Sequence, residues 1–397
     1  MTNLLIQHGP AKGQKIDKAF ENNIVEGTVF SPREETMESI KQYCDNSAYL
    51  NKDNTFIDPQ FYYSTFDVEL LKLLREQFEY PTKVTRKDWR KRNERLLKYF
   101  DNYSSKVEEV SNNIITPGFC IDSIDWKFDY SIDFYNYFKE KYKFEHYYMS
   151  LMIASEIFHS KNDVDDILED IKDNVDEKDG IYLIIKYPST QIKNYESMDP
   201  ETLSNILYFV YSLKMSDFKV IIGYTFLNSI LFSMIDCDAI STGWFNNLRK
   251  FEQSKFESVD SFGIRKKRYV SIPTLTNMTL ELINECKEMD ITKLYSNTRW
   301  DSIAIEDQDK VSFVDLEQQY WEALHNIVTE INQKETILEK VKYMKQCIEK
   351  SRNIYDEMLN ITENKREVQN RIKLEFKHID DWQFAIELFE KKVALLW

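Results

Sequence analysis

Eight short hydrophobic runs alternate with helical segments over residues 1–255 of this chain. Their hydrophobicity is continuous rather than alternating, which is typical of parallel strands that are buried on both faces. Because strand–helix–strand crossovers are right-handed, the simplest closed arrangement is a (β/α)8 barrel, or TIM barrel. The runs predict strands at Leu4–Gln7, Ile24–Phe30, Thr55–Ile57, Asn113–Ile121, Tyr147–Ile153, Ile181–Ile185, Lys219–Ile222 and Ala239–Ser241.

Glycine is rare in this chain, and its positions follow the predicted strands. Five of the eight glycines lie at or beside the end of a hydrophobic run: Gly9, Gly27, Gly118, Gly223 and Gly243. Glycine permits sharp turns and close approach of the backbone to a ligand. The rival fold, an open doubly wound sheet, needs a glycine-rich loop after its first strand, and a single glycine before proline is a poor match. The pattern therefore favours strands that emerge onto one rim, where barrel enzymes place their chemistry.

The character of the chain changes at Ser271. Strand signals disappear, and residues 316–397 become charged, with apolar positions at the helical period. We expect three long antiparallel helices here, packed against the barrel. The predicted domains are a barrel over residues 1–270, with an inserted basic helical segment at 67–112, and a C-terminal helical domain over 271–397.

Composition restricts the functional classes. The 397-residue chain has a net charge of −15, and no apolar stretch approaches the ~20 residues of a membrane span. Its five cysteines are odd in number and never lie at metal-binding spacing. This cysteine usage indicates reduced thiols in the cytoplasm and no zinc site. We therefore predict no membrane partner, no metal and no cofactor.

Two basic islands interrupt the acidic chain. The first basic island is Lys83–Lys98, with eight Lys or Arg residues around Trp89, and the second is Arg265–Arg268. Such islands can be solvated surface, but basic residues beside aromatic rings also suit the phosphates and bases of a nucleic acid. The predicted nucleic-acid-binding residues are Lys83, Arg86, Lys87, Trp89, Arg90, Lys91, Arg92, Arg265, Lys266, Lys267 and Arg268.

Three residues at predicted strand ends are the candidate catalytic groups. Asp58 leaves the third strand directly before Pro59, and a carboxylate there is costly to place unless it is paired or used. Glu156 follows the fifth strand and adds a second carboxylate, as displacement at a sugar carbon requires. Lys186 ends the sixth strand, where Schiff-base aldolases on this fold carry their lysine. The alternative for Lys186 is a side chain that reaches solvent or pairs with Glu156.

The other rim candidates are substrate-binding residues. His8 suits either a base or a structural donor, and Arg33 suits either a phosphate clamp or a rim salt bridge. The segment Gly243–Arg249 follows the eighth strand, where barrels commonly bind phosphate, and its two aromatic rings suit a flat ligand. The full set is His8, Arg33, Gln60, Tyr224, Trp244, Phe245, Asn246 and Arg249.

The order of these elements resembles the tRNA-guanine transglycosylase family and its DNA-acting relatives. Ile57–Phe61 stands where that family has a third-strand aspartate, and Gly223–Thr225 with Asp238–Ser241 resembles its glycine-rich seventh strand and acidic eighth strand. Two departures matter: the family's nucleophilic aspartate falls near Ser241, and its zinc-binding cysteines are absent. The resemblance implies a divergent, zinc-free member, whose catalytic residue we reassign to Asp58.

The leading hypothesis is an enzyme that cleaves or exchanges an N-glycosidic bond in nucleic acid, with DNA favoured over RNA. A flipped, modified or normal base would enter the barrel mouth, where Asp58 stabilises or attacks the cationic sugar and Gln60 and Asn246 read the base edge. One alternative is a Schiff-base lyase or aldolase that uses Lys186 on a small carbonyl substrate, with Tyr224 as proton shuttle. Another is a non-catalytic barrel scaffold, which a mouth filled by bulky apolar side chains would support.

Overall fold

A computed structural model describes the protein at residues 1–65, 72–188, 196–245, 248–252 and 266–394. Eight parallel strands form its centre, each close to a predicted position. They are β1 (Asn3–Gln7), β2 (Gly27–Phe30), β3 (Thr55–Ile57), β4 (Asn113–Ile115), β5 (His146–Ala154), β6 (Gly180–Tyr187), β7 (Lys219–Gly223) and β8 (Ala239–Thr242). Two-residue strands at Cys120–Ile121 and Phe251–Glu252 pair with β5 and β6.

The sheet curls into a nearly closed barrel with the strand order β3-β2-β1-β8-β7-β6-β5-β4. Helices that follow the strands alternate with them along the chain, so the predicted (β/α)8 barrel is confirmed. Several helices begin at a polar side chain that accepts a backbone N–H of the first turn, as Asp199 does before Pro200–Met215. The helices of the barrel region lie at Lys15–Glu21, Met37–Asn46, Lys72–Phe78, Arg86–Arg90, Glu94–Val110, Trp126–Lys141, Lys161–Asn174, Pro200–Met215 and Ser229–Met234.

Side chains bridge the seam between β3 and β4, the two ends of the strand order. The Tyr103 hydroxyl lies 2.9 Å from the carbonyl oxygen of Ile57 and 2.8 Å from that of Ile115. The Ser111 hydroxyl donates to the carbonyl oxygen of Thr55 at 2.5 Å. These bonds satisfy carbonyl groups that a neighbouring strand would otherwise bind, and they continue the barrel wall.

Two glycines make room for tyrosine rings inside the barrel. A Cβ atom at Gly180 would lie 2.2 Å from the ring of Tyr148, and one at Gly223 would lie 2.6 Å from the hydroxyl of Tyr182. Only glycine allows such a close approach. Gly223, which the sequence pattern associates with a ligand, therefore faces a side chain of its own barrel.

The C-terminal region is mainly helical but begins with a hairpin. Strands Arg268–Ser271 and Thr276–Thr279 pair antiparallel, so the prediction that strands end at Ser271 is wrong. The second strand contains one strongly apolar residue, Met278, and so has no hydrophobic run that would reveal it. Helices follow at Leu280–Glu285, Asp301–Glu306, Phe313–Asn332, Ile337–Ile361, Arg366–Glu375 and His378–Val393.

The helix Phe313–Asn332 packs along the outside of the barrel. Near the middle of the helix, the Tyr320 hydroxyl lies 2.6 Å from the Thr242 hydroxyl, where β8 ends. At its C-terminal end, the Asn332 side chain bonds the backbone of Thr2, just before β1. The C-terminal region therefore contacts the barrel wall from one end of its strands to the other.

Three further observations concern membrane-spanning helices, disulfides and metal sites. None of their helices has the length and apolar character that a bilayer crossing requires. The five cysteines are free thiols. Among the described residues, no three His, Cys, Asp or Glu side chains converge where a metal ion could bind.

Candidate active site

Asp58 lies at the carboxyl end of β3, and its side chain is fully buried. Its Oδ1 accepts a hydrogen bond from the backbone N–H of Gln60 at 2.9 Å. This bond closes a tight turn over Pro59, whose ring restricts the backbone. One carboxylate oxygen thus holds the loop that leaves β3, and the other is available for different partners.

Three tyrosine hydroxyls surround the Oδ2 atom of Asp58. Those of Tyr62, Tyr224 and Tyr182 lie 3.2, 3.3 and 3.4 Å from it. They come from the 3-10 helix Phe61–Thr65, the residue after β7 and the middle of β6. We call Asp58 and these three residues the tyrosine cluster. It joins a carboxylate to three hydroxyl donors at the end of the barrel where enzymes with this fold place their chemistry.

Burial raises the pKa of Asp58 to about 6. Hydrogen bonds from Gln60 and the tyrosines act in the opposite direction, because they favour the charged form, but they do not offset the loss of water. The Asp58 carboxyl is therefore mostly ionised at about pH 7 and mostly protonated at about pH 5. A perturbed carboxyl at a strand end is a signal of a functional site.

Two residues that contact Asp58 have a left-handed backbone. The φ angle is +50° at Gln60 and +55° at Tyr224. Residues of these types seldom adopt this region, and such strain is common at functional sites. Gln60 donates to Oδ1 and Tyr224 to Oδ2, so a strained residue holds each oxygen of the carboxylate.

Two glutamine amides extend the tyrosine cluster. The Oε1 atom of Gln7 lies 3.2 Å from the Tyr182 hydroxyl and accepts a hydrogen bond from Ser241 at 3.1 Å. The Nε2 atom of Gln60 donates to the Tyr224 hydroxyl at 3.3 Å. The other half of each amide, Nε2 of Gln7 and Oε1 of Gln60, is buried without a hydrogen-bond partner among the described residues. The site therefore contains one unpaired donor and one unpaired acceptor, which are costly to bury.

Phe251 covers the tyrosine cluster. Its ring centroid lies 5.2 Å from that of Tyr62 and 5.4 Å from that of Tyr224, and both contacts are nearly perpendicular. Its backbone pairs with Lys186 of β6. Neither Phe251 nor Asp58 has exposed surface. An apolar ring therefore closes the barrel mouth above the carboxylate.

Arg33 lies beside the mouth and forms a rim salt bridge. Its guanidinium donates to the Tyr63 hydroxyl at 3.1 Å and to the Glu34 carboxylate at 2.9 Å. Burial lowers the pKa of Arg33, but the nearby Tyr63 and Glu34 outweigh burial and raise the pKa above its ordinary value. The guanidinium stays charged, and the salt bridge is one of its two predicted roles.

Lys186 does not have the environment of a Schiff-base lysine. Its ammonium forms an ion pair with Asp122. Burial lowers the pKa of Lys186, but Cys120, Asp122 and Glu156 outweigh burial and raise it. A Schiff-base lysine needs a lowered pKa so that the amine is neutral. Glu156 is exposed and accepts a hydrogen bond from its neighbour Ser155.

Two buried ionisable residues, Lys250 and Glu196, were not predicted from the sequence. The pKa of Lys250 is lowered by burial, although Glu252, 3.8 Å away, and Glu196 act to raise it. Burial also raises the pKa of Glu196 to about 7, while the backbone N–H groups of Asn228 and Leu227 act to lower it. Neither residue lies in a predicted strand or motif, so no sequence signal points to them.

Trp244 and His8 are core residues. The indole N–H of Trp244 donates to the carbonyl oxygen of Pro10 at 2.8 Å, and its ring packs edge-on against His8. The Nδ1 atom of His8 accepts the backbone N–H of Ser31 at 3.4 Å, and its Nε2 lies 3.5 Å from Glu35. The predicted sandwiching of a flat ring by Trp244 is therefore corrected, because this side chain is enclosed by the protein.

The other residues that follow β8 also contact the protein itself. The Arg249 guanidinium donates to the carbonyl oxygen of Gly243 at 2.8 Å and lies 3.8 Å from the ring centre of Tyr320. Phe245 is half-buried beside Trp244. Asn246 lies outside the described residues, and so does the predicted phosphate-binding residue Arg265.

The first basic island begins at the same rim as Asp58. The backbone N–H of Val84 donates to the carbonyl oxygen of Ser64, in the 3-10 helix after β3, at 3.1 Å. All eight basic side chains of the island are exposed, and Lys98 pairs with Glu79. The sequence and the fold together therefore place a cationic surface next to the barrel mouth.

Trp89 anchors this island rather than projecting from it. Its indole N–H donates to Asp133 at 2.8 Å, and its ring packs edge-on against Phe134. The Arg92 guanidinium lies 3.5 Å from the ring centre. The predicted stacking or wedging of Trp89 with bases is corrected, because the side chain is buried.

The second basic island is neutralised by the C-terminal region. Lys266 pairs with Glu281 at 2.8 Å, and Arg268 pairs with Glu375 at 3.1 Å. Lys267 donates to the carbonyl oxygen of Gln308. These contacts link the hairpin to the neighbouring helices, and a phosphate would have to compete with them for Lys266, Lys267 and Arg268.

Comparisons of the chain with protein-family models, with curated proteins and with solved structures found no match. The resemblance to the transglycosylase family therefore stays a prediction from the sequence. The tyrosine cluster and the first basic island are the features of the molecule that bear on its function.

Proposed function

We propose that this chain is an enzyme that cleaves or exchanges an N-glycosidic bond in nucleic acid, as a DNA glycosylase acting on a flipped base. The observation that carries the proposal is the fully buried Asp58, whose Oδ2 is surrounded by three tyrosine hydroxyls at the carboxyl end of the strands. Cleavage of a glycosidic bond develops positive charge on the sugar. A buried carboxylate stabilises or captures that charge far more strongly than an exposed one.

Asp58 would act in its ionised form. Its Oδ2 is the oxygen that faces the cationic sugar, because Oδ1 is committed to the turn with Gln60. The hydroxyls of Tyr62 and Tyr224 lie 3.2 Å apart and both contact Oδ2. They orient the carboxylate. As the glycosidic bond breaks and water bonds to the sugar carbon, that water loses a proton, and the two hydroxyls form a short path that carries it to the departing base.

The first basic island supports nucleic acid as the partner. The side chains that are exposed and form no ion pair among the described residues include Arg86, Lys87, Arg90 and Lys91. On a chain with a net charge of −15, a local cluster of unpaired cations attracts a polyanion. Because the island begins beside the loop of Asp58, it would hold phosphates that flank a base in the barrel mouth. The free cysteines fit the cytoplasm as the setting.

The test is the formation of abasic sites. The protein is incubated with DNA duplexes and single strands that contain normal or modified bases, and alkali then cleaves each abasic site. Strand cleavage by the wild type that is absent with Asp58→Asn supports the proposal. Intact strands from every substrate, together with no binding at low salt, contradict it.

A non-catalytic scaffold is the second candidate, and one observation favours it. The apolar ring of Phe251 fills the barrel mouth above Asp58, so no substrate reaches the carboxylate without movement of that ring. A scaffold would bind nucleic acid through the basic island but would leave every glycosidic bond intact. The abasic-site assay therefore separates the two functions.

Replacing Arg86, Arg90 and Lys91 together by Ala is expected to weaken nucleic-acid binding for all sequences. Each lost phosphate contact reduces the slope of log K against log salt by about one unit, so the slope should fall by about two to three. Binding is measured by fluorescence anisotropy at several salt concentrations. The matched control replaces Lys266 and Lys267, which already bind protein groups, and should keep the wild-type slope. Equal slopes in both variants and the wild type would remove the nucleic-acid proposal's main support.

A further inference from the structure

We infer that the space filled by the Phe251 ring is the binding position of a nucleobase, and that Phe251 is an internal plug that the base replaces. The inference rests on the proposed function and names the part of the substrate that the tyrosine cluster holds. It is carried by the two unpaired amide groups and by the geometry of the covering ring.

The unpaired polar groups of the site are of the two kinds that the edge of a nucleobase can pair with. The Nε2 atom of Gln7 is an unpaired donor and the Oε1 atom of Gln60 is an unpaired acceptor, and both are buried. Each amide is linked to Asp58 through one hydroxyl, that of Tyr182 or of Tyr224. Nucleobases carry donors and acceptors side by side on one edge, and enzymes that flip bases read that edge with hydrogen bonds.

The apolar part of the position matches a flat ring. Phe251 makes nearly perpendicular contacts with Tyr62 and Tyr224, and its ring centroid lies 6.2 Å from that of Tyr63. An aromatic ring of the ligand would make the same contacts in its place. Phe251 has no polar atoms on its side chain, so it fills the space between the aromatic rings without offering a hydrogen bond. A nucleobase combines a flat ring with the donors and acceptors that the unpaired glutamine groups require.

The backbone of the plug lies in a short strand. Phe251 belongs to the two-residue strand Phe251–Glu252, which pairs with Lys186 and Tyr187. A pairing of this length is much weaker than those of the main barrel strands. Asp58 follows β3, which pairs with β2 and not with this short strand, so displacement of the plug does not require the pairing that positions Asp58 to break.

The test is ligand binding by Phe251→Ala, which vacates the position. Adenine, hypoxanthine, cytosine and uracil are compared with benzene, an apolar ring of similar size, by thermal unfolding and calorimetry. We expect at least one free base to raise the Tm of Phe251→Ala, and to do so more than benzene. Adding Gln60→Leu to Phe251→Ala should weaken base binding about ten-fold, because one hydrogen bond is lost. The wild type, with its plug in place, should bind free bases more weakly than Phe251→Ala.

The matched control is Phe158→Ala, which removes an equally buried phenylalanine on the outside of the barrel. A base that stabilises both variants equally, or benzene binding to Phe251→Ala without base binding, would overturn the inference. If Phe251→Ala does not fold, Phe251→Leu carries the same test with a smaller vacancy. Base binding without abasic-site formation contradicts only the proposed function, whereas abasic-site formation without base binding contradicts only this inference.

Discussion

Asp58→Asn is expected to reduce base release by at least about 100-fold while leaving nucleic-acid binding unchanged. Asn has nearly the same shape and can keep the hydrogen bond from Gln60, but it cannot supply the negative charge that the cationic sugar needs. Base release is measured in a single turnover, and binding by anisotropy. The control is Asp122→Asn on the same rim, whose carboxylate pairs with Lys186 and should matter little for release. Equal loss in both variants would contradict a specific role for Asp58.

The same substitution should also change the pH dependence of stability. The folded state holds the Asp58 proton up to about pH 6, whereas the unfolded chain releases it near the ordinary value of 3.8. The free energy of unfolding therefore falls as the pH rises between these two values and is constant above them. Asn does not titrate, so Asp58→Asn abolishes this fall in the free energy of unfolding. Because the two pKa values differ by about two, the fall amounts to about 3 kcal/mol. Urea unfolding at about pH 4 and pH 7 measures it.

Trp244→Ala is expected to destabilise the fold by about 3–5 kcal/mol rather than to weaken ligand binding selectively. The indole is 1% exposed, bonds Pro10 and packs against Trp321 of the C-terminal region. Its removal leaves a cavity and an unpaired carbonyl group at once. The free energy of unfolding is measured in urea, with Phe245→Ala as the control, because that half-buried neighbour should cost less. A stable Trp244→Ala protein that no longer binds nucleic acid would contradict the core role.

The barrel could be predicted from the sequence because its strands are buried on both faces. Even the three-residue strand Thr55–Ile57 is recognisable in the sequence, because apolar residues precede a turn at Asp58-Pro59. In the structure all three of its residues are buried. The position of Asp58 follows from that strand end. Local sequence thus determines where a strand stops and which side chain comes next.

The partners of Asp58 could not be predicted, because they depend on contacts across the barrel. Tyr182 lies in the middle of a hydrophobic run and resembles an ordinary core residue. Its hydroxyl reaches Asp58 only because β6 and β3 face each other across the interior. Phe251 reaches the mouth only because its backbone pairs with Lys186. No local pattern encodes these contacts.

The two basic islands show that the sequence does not reveal which basic side chains are available to a ligand. Both are runs of Lys and Arg in the sequence, but the fold brings Glu281 and Glu375 to the second island and leaves most of the first exposed. Likewise, the pKa of Lys186 depends on Asp122, which lies 64 residues earlier in the chain. Sequence composition identifies candidate cations, whereas their availability is decided by tertiary contacts.

The most direct test of the central claim is the pH dependence of single-turnover base release by the wild type. If ionised Asp58 stabilises the cationic sugar, the rate should reach a plateau above about pH 6 and fall about ten-fold per pH unit below it, since burial raises the pKa of this carboxyl to about 6. A rate that stays constant between about pH 5 and pH 8, or that rises as the pH falls, would contradict the account.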